Sequence, residues 1–277
     1  MDSLPVKFFE ELLMIASISA PFPYRASLLS GTVSICAQNY IQKAHSKTFF
    51  YNGTFDHSGS FGLDSEPTQS QDLRAKYRDF TALQFTTRGS EVPPIDENFF
   101  KTFKSEPGMH CLILKSSAID DKWIQEFVSW QKLFIVDVAV RCENKVEKLL
   151  EELLDRKRLL RLYFDFCEDT EIELGCEFLL QEQSQRLFYG SYRQKSLKQL
   201  TTLQKKNEKK LSGKAVIFKE NVPLHNNSFK VCERTEEDRL RFESKQGVVE
   251  YWNENGTLEM SNEEFMKGVK YSFAGFL

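Results

Sequence analysis

The sequence predicts an α/β fold: a leucine-rich-repeat-like solenoid of strand–helix units or an open parallel sheet, with an N-terminal helical and hairpin segment and a small β-containing C-terminal cap. Three observations lead there. An apolar-x-x-apolar-x-apolar pattern returns through the middle of the chain. Amphipathic stretches with helical spacing fill the gaps between its copies. The final stretch changes texture to short alternating runs separated by polar turns.

The chain opens MDSLPVKFFEELLMIA, where Leu4, Phe8, Leu12 and Ile15 recur three and four apart, as do Phe9, Leu13 and Ala16. That spacing predicts a helix whose apolar stripe is wider than one core contact needs. It either buries both sides within its own domain or offers one side to another protein. The helix breaks at APFP (Ala20 to Pro23), and a second short helix is expected over Val33 to Ile41. Next, KTFFYNGTF places Asn52-Gly53 between aromatic runs, the signature of a type I′ hairpin. The polar run Ser65 to Asp72 reads as a boundary, so residues 1–65 form one segment.

Residues 66–221 carry the repeat. Its copies are Phe80/Leu83/Phe85, Met109/Leu112/Leu114, Leu133/Val136/Val138 and Leu159/Leu162/Phe164, then shorter ones at Leu187/Tyr189 and Val216/Phe218. The middle positions 83, 112, 136, 162, 187 and 216 lie 29, 24, 26, 25 and 29 residues apart, near the period of leucine-rich repeats. The Asn or Cys that this template places three residues on is found only at Cys167 and Asn221. Between copies, Val146, Leu149, Leu150, Leu153 and Leu154 occupy one helical face, as do Trp123, Ile124, Phe127 and Val128, and later Leu197, Leu200 and Leu203. Strand followed by helix, repeated, gives parallel strands with helices on one face.

Residues 222–277 form the cap. FKVCER, RLRFES and GVVEYW read as short antiparallel strands. The turn Asn253 to Gly256 leads to a final helix opened by a Ser261/Glu264 capping box, with Phe265, Met266 and Val269 turned to the core. Its expected role is to close the open end of the sheet.

The 277 residues carry a formal net charge of −3, which gives no global signal for nucleic acid or anionic membrane. Twenty-four phenylalanines predict a core built on large rings. Six cysteines without a CxxC pair sit mostly in apolar stretches and read as free thiols of a reducing, intracellular compartment, cytoplasmic or nuclear. The N-terminal segment, with Glu10 and Glu11 and no basic leader, does not read as a secretion signal, and no run is long enough to span a bilayer.

A search for chemistry finds no catalytic, metal or cofactor set. His45, His57, His110 and His225 are scattered, and no Ser sits in a G-x-S-x-G elbow. In CEDTEIELGCE, Glu168, Asp169, Glu171, Glu173 and Glu177 open a helix, where negative charge complements the dipole and is solvated. HSGSFG (His57 to Gly62) and SGK (Ser212 to Lys214) complete no phosphate-loop motif and read as turns. The basic run from Arg193 to Lys214 reads as a solvated helix face without interleaved aromatics. On the sheet face away from the helices, Ile113, Asp137, Arg161, Tyr163, Asp165, Arg186 and Phe188 form a mixed apolar and charged strip. Such a strip is either covered by the chain's own termini or is a target-binding surface.

LPVKFFEELL resembles the first element of an F-box, the segment that docks on the Skp1-type linker of cullin ubiquitin ligases. The matching positions are Leu4, Pro5, Phe8, Phe9, Leu12 and Leu13. The MDS-L-P start, the Ser-Gly-Thr of LLSGTVSICAQNY, the strand–helix units and the closing segment also look like the nematode F-box-like families. That closing segment runs through Trp252, Asn253, Gly256, Met260, Glu263, Glu264, Phe265, Met266, Gly268 and Val269. The resemblance implies a non-enzymatic recognition protein. Its partners would be a Skp1-type adaptor, bound through those six N-terminal positions, and an unidentified target protein.

Overall fold

A computed structural model describes residues 8–9, 30–62, 67, 77–87, 89–224, 229–232, 234, 236–245 and 247–276. Leu4, Pro5, Leu12, Leu13 and His225 lie outside the described residues, as do the APFP break and most of the 65–72 boundary. The described residues hold seven helices and twelve strands, an α/β structure with parallel and antiparallel pairing. By its internal contacts the chain forms two units: Met1–Ile113 with Ser129–Leu133, and Leu114–Val128 with Phe134–Leu277.

In the first unit, α1 (Thr32–Lys43) is followed by β1 (His45–Tyr51), β2 (Phe55–Gly62), β3 (Arg78–Phe85), α2 (Glu97–Ser105) and β4 (Met109–Leu114). The strand order is β2-β1-β3-β4. β1 pairs antiparallel with β2 and parallel with β3, so the hairpin arm is itself a member of the parallel ladder. The predicted type I′ turn is corrected. Tyr51 pairs with Phe55 across three loop residues, with a register shift at Phe50/Tyr51, and only Gly53 of the Asn-Gly pair has positive φ (100°). A type I′ turn needs positive φ at both central residues. HSGSFG is likewise not a turn; it belongs to the edge strand β2, where small and polar residues pack little.

The aromatic core expected from composition sits here. Phe103 packs against Phe49 at 5.5 Å and Trp130 at 4.8 Å, and Tyr51 stacks on Phe85 at 6.1 Å. Asp96 caps α2 by accepting from the Phe99 amide at 3.0 Å.

The second unit contains α3 (Asp121–Val128), β5 (Leu133–Val138), α4 (Lys145–Asp155), β6 (Arg161–Phe164), α5 (Asp169–Leu180), β7 (Arg186–Tyr189), α6 (Gln194–Leu211) and β8 (Ala215–Phe218). There follow β9 (Lys230–Val231), β10 (Arg239–Ser244), β11 (Gly247–Trp252), α7 (Asn262–Lys267) and β12 (Tyr271–Phe276). The strand order is β5-β6-β7-β8-β12-β11-β10-β9, parallel as far as β8 and antiparallel beyond it.

The repeat read from the sequence becomes a lateral row. Val136, Leu162, Leu187 and Val216 are register partners on successive strands, and all are buried. Leu83 and Leu112, the same positions of β3 and β4, are buried in the first unit. Helices cover that side of the second unit: Tyr189 Oη donates to the Glu171 carbonyl of α5 at 3.2 Å. Gly175 permits the approach, since a Cβ there would collide with Tyr189 Oη and sit 2.9 Å from Leu187 Cδ2. In α4, Val146, Leu149, Leu150, Leu153 and Leu154 are all buried, as the spacing predicts. β12 joins β8 antiparallel, Ser272 opposite Phe218 and Gly275 opposite Ala215, so the tail occupies the edge where the parallel strands stop. The Ser261/Glu264 capping box is present on α7.

Candidate interaction surfaces

Of the segment in which a helix is predicted, only Phe8 and Phe9 are described, both helical, and they part company. Phe9 is 2% exposed and joins a buried cluster with Cys36, Ala37 and Tyr40 of α1, Ala44 and Tyr77. Phe8 is 46% exposed, its ring edge-on to Phe9 at 5.6 Å. Adjacent helical residues point about 100° apart, which is how one ring enters the core while its neighbour faces outward. Phe9 is therefore part of this chain's interior, and of the two aromatic positions matched to the F-box only Phe8 presents its ring. Ile35 of α1, 62% exposed, is a further outward apolar residue of this unit that the sequence reading did not single out.

The sheet-face candidates divide between the units. Ile113 is half-buried on β4 in the first unit. The other six lie in the second. Asp165 follows the end of β6, its amide donating to the Val138 carbonyl at 3.0 Å, and registers arrange the remaining five in two rows. One runs Asp137, Tyr163, Phe188, Ile217 and Phe273 across β5, β6, β7, β8 and β12; the next runs Ile135, Arg161, Arg186, Ala215 and Gly275. Tyr163 and Phe188 stack face to face at 4.0 Å with their planes 8° apart. Both alternate with the helix-covered Leu162, Phe164, Leu187 and Tyr189, which places them on the opposite side of the sheet. Phe273 was missed as a row member. The alternation in YSFAGF could have found it, but its neighbour in the row comes from the distant β8.

Burial first, and like-charged neighbours second, shift the titration of two groups of the strip. Burial, together with the Asp165 carboxylate, pushes the Asp137 carboxyl up to about 6, while Lys115 and Lys219 oppose the shift. Burial, and then the Arg161 guanidinium beside it, pull Arg186 down to about 10. Like charges in adjacent register are unfavourable unless something offsets them.

Other motifs resolve into structural roles. Glu171, expected to be solvated, is buried; its Oε1 accepts from the Cys142 amide at 2.9 Å and its Oε2 from the Glu168 amide at 3.1 Å. It ties the start of α5 to the segment before α4, which corrects the solvation reading of that carboxylate. Lys214 of the SGK turn is buried and donates to the Leu179 carbonyl at 2.8 Å and to the Gln181 carbonyl, capping the end of α5. His110 is buried against Phe103 at 4.9 Å, and desolvation lowers its pKa; His45 is buried too, whereas His57 is exposed and stacks on Phe50 at 4.3 Å. Among the described residues no group of three or more His, Cys, Asp or Glu side chains is placed to hold a metal ion. The six cysteines are free thiols, four buried and two half-buried. No helix among the described residues is long and apolar enough to cross a membrane.

No family model, no curated protein and no solved structure matches the chain.

Proposed function

We propose that this protein is a non-enzymatic interaction module, a substrate-recognition adaptor for a Skp1-cullin type ubiquitin ligase in the cytoplasm or nucleus. The observation that carries the reading is the division of labour at Phe8 and Phe9: one ring anchors the helix in the core, and the other is left outward as a docking group. Burying an outward phenylalanine in a partner contributes about 1.5–3 kcal/mol before ordering costs. The strip of Asp137, Arg161, Tyr163, Arg186 and Phe188 is then the target surface. Its strand–helix units, with Val136, Leu162, Leu187 and Val216 in one row, support kinship with leucine-rich repeats. Six free thiols suit a reducing compartment.

Co-expression with a Skp1-type protein tests it. A stable complex is expected that Phe8→Ala weakens at least tenfold with an unchanged melting temperature. Absence of a complex at micromolar concentration counts against the adaptor role.

Phe9 favours a second reading, in which the helix plugs its own unit and the protein is a scaffold of the same fold. Deleting residues 1–19 separates the two. Loss of cooperative unfolding supports the plug; a folded chain that no longer captures the linker supports docking.

A further inference from the structure

A groove of about 440 Å³ runs between α5 and α6, within the range of small-molecule sites. Its α6 wall is a single stripe, Lys195, Lys198, Gln199, Thr202, Leu203 and Lys206, recurring at helical spacing over roughly 16 Å of helix. From α5 it receives Glu173 and Cys176. Burial, and then the Glu173 carboxylate, push the Cys176 thiol up to about 11, so at neutral pH the thiol is uncharged and Glu173 is the one carboxylate among the lining residues. Lysine stems add methylene surface to the sides while their ammoniums stay at the rim. Lys195 is engaged by Asp169. Lys198 and Lys206 have no carboxylate within ion-pair distance among the described residues, so the rim keeps an excess of positive charge.

We propose that this groove binds a small amphipathic anion of the alkyl-carboxylate class, its chain along Cys176 and Leu203 and its head between Lys198 and Lys206. A protein partner is disfavoured by size. Eight residues line the groove, whereas stable protein interfaces engage about 20–30 on each side. The site is independent of the adaptor reading, since it uses neither the N-terminal helix nor the sheet face.

The test is titration of the full-length protein with dodecanoate carrying a 13C-labelled carboxyl, followed by NMR and calorimetry. Saturable one-to-one binding that tightens at low salt is expected, with dodecanol at least tenfold weaker. Lys198→Glu combined with Lys206→Glu, both exposed at the rim of the groove, should weaken binding by about tenfold or more. Leu203→Trp, which fills the groove, should do the same without removing charge. The melting temperature of the charge variant should stay close to that of the parent. The proposal is overturned by the lack of saturable binding below the micellar concentration, by equal affinity for dodecanol, or by unchanged affinity in both variants. An acidic amphipathic peptide that displaces dodecanoate and binds more tightly would also overturn it, in favour of a protein ligand.

Discussion

Burial and the Asp165 carboxylate hold the Asp137 carboxyl near 6, so between about pH 4 and pH 6 the folded chain keeps a proton that the unfolded chain has released. Stability therefore falls as pH rises through that window and stays reduced above it. Asp137→Asn should raise stability at pH 7 by on the order of 1 kcal/mol, allowing for solvent screening of a half-buried group, and should flatten the pH 4–6 limb in urea melts. An unchanged pH profile would show that the carboxylate is already solvated. Glu171 makes the opposite point. Nothing in CEDTEIELGCE sets it apart from Glu168 or Glu173, yet it alone turns inward to bind two backbone amides. A residue's helical phase is legible in sequence; whether a distant loop supplies amides to meet it is not.

Helices were the most legible elements, because burying a 3.6-residue stripe is a local demand that one segment states by itself. In α4 the five predicted core positions are the five buried ones. Leu150→Ala should cost about 2–5 kcal/mol in denaturant titrations, since the packed site cannot collapse around the lost methylenes. At the exposed capping box of α7, Ser261→Ala should cost only about 1 kcal/mol by the same measurement. Strands were legible as segments and less so at their turns. Asn-Gly announced a hairpin between β1 and β2, but the register shift at Tyr51 chose a three-residue loop. HSGSFG has the composition of a turn and is a strand, because pairing with β1 supplies hydrogen bonds that its own side chains do not advertise.

At the scale of the molecule, the edge beyond β8 is the exposed weakness of a parallel array, and β12 covers it. A chain ending at residue 221 should lose cooperative unfolding and aggregate, as followed by light scattering at micromolar concentration; a soluble, monomeric, folded truncation would show that β8 needs no cover. At the far end of the second unit the outermost strand, β9, is only two residues long, which leaves little backbone to template further pairing. The sequence by itself determined the α/β class, the strand–helix alternation and the residues that line the helix-covered side, because each is written in a period of two or 3.6 within one segment. Only the tertiary structure decided that β1 lies parallel beside β3, that the last strand inserts next to β8, that Phe9 is interior while Phe8 is not, and that α5 and α6 leave a lysine-rimmed groove. Those outcomes depend on which distant surfaces meet, and local periodicity carries no record of its partner.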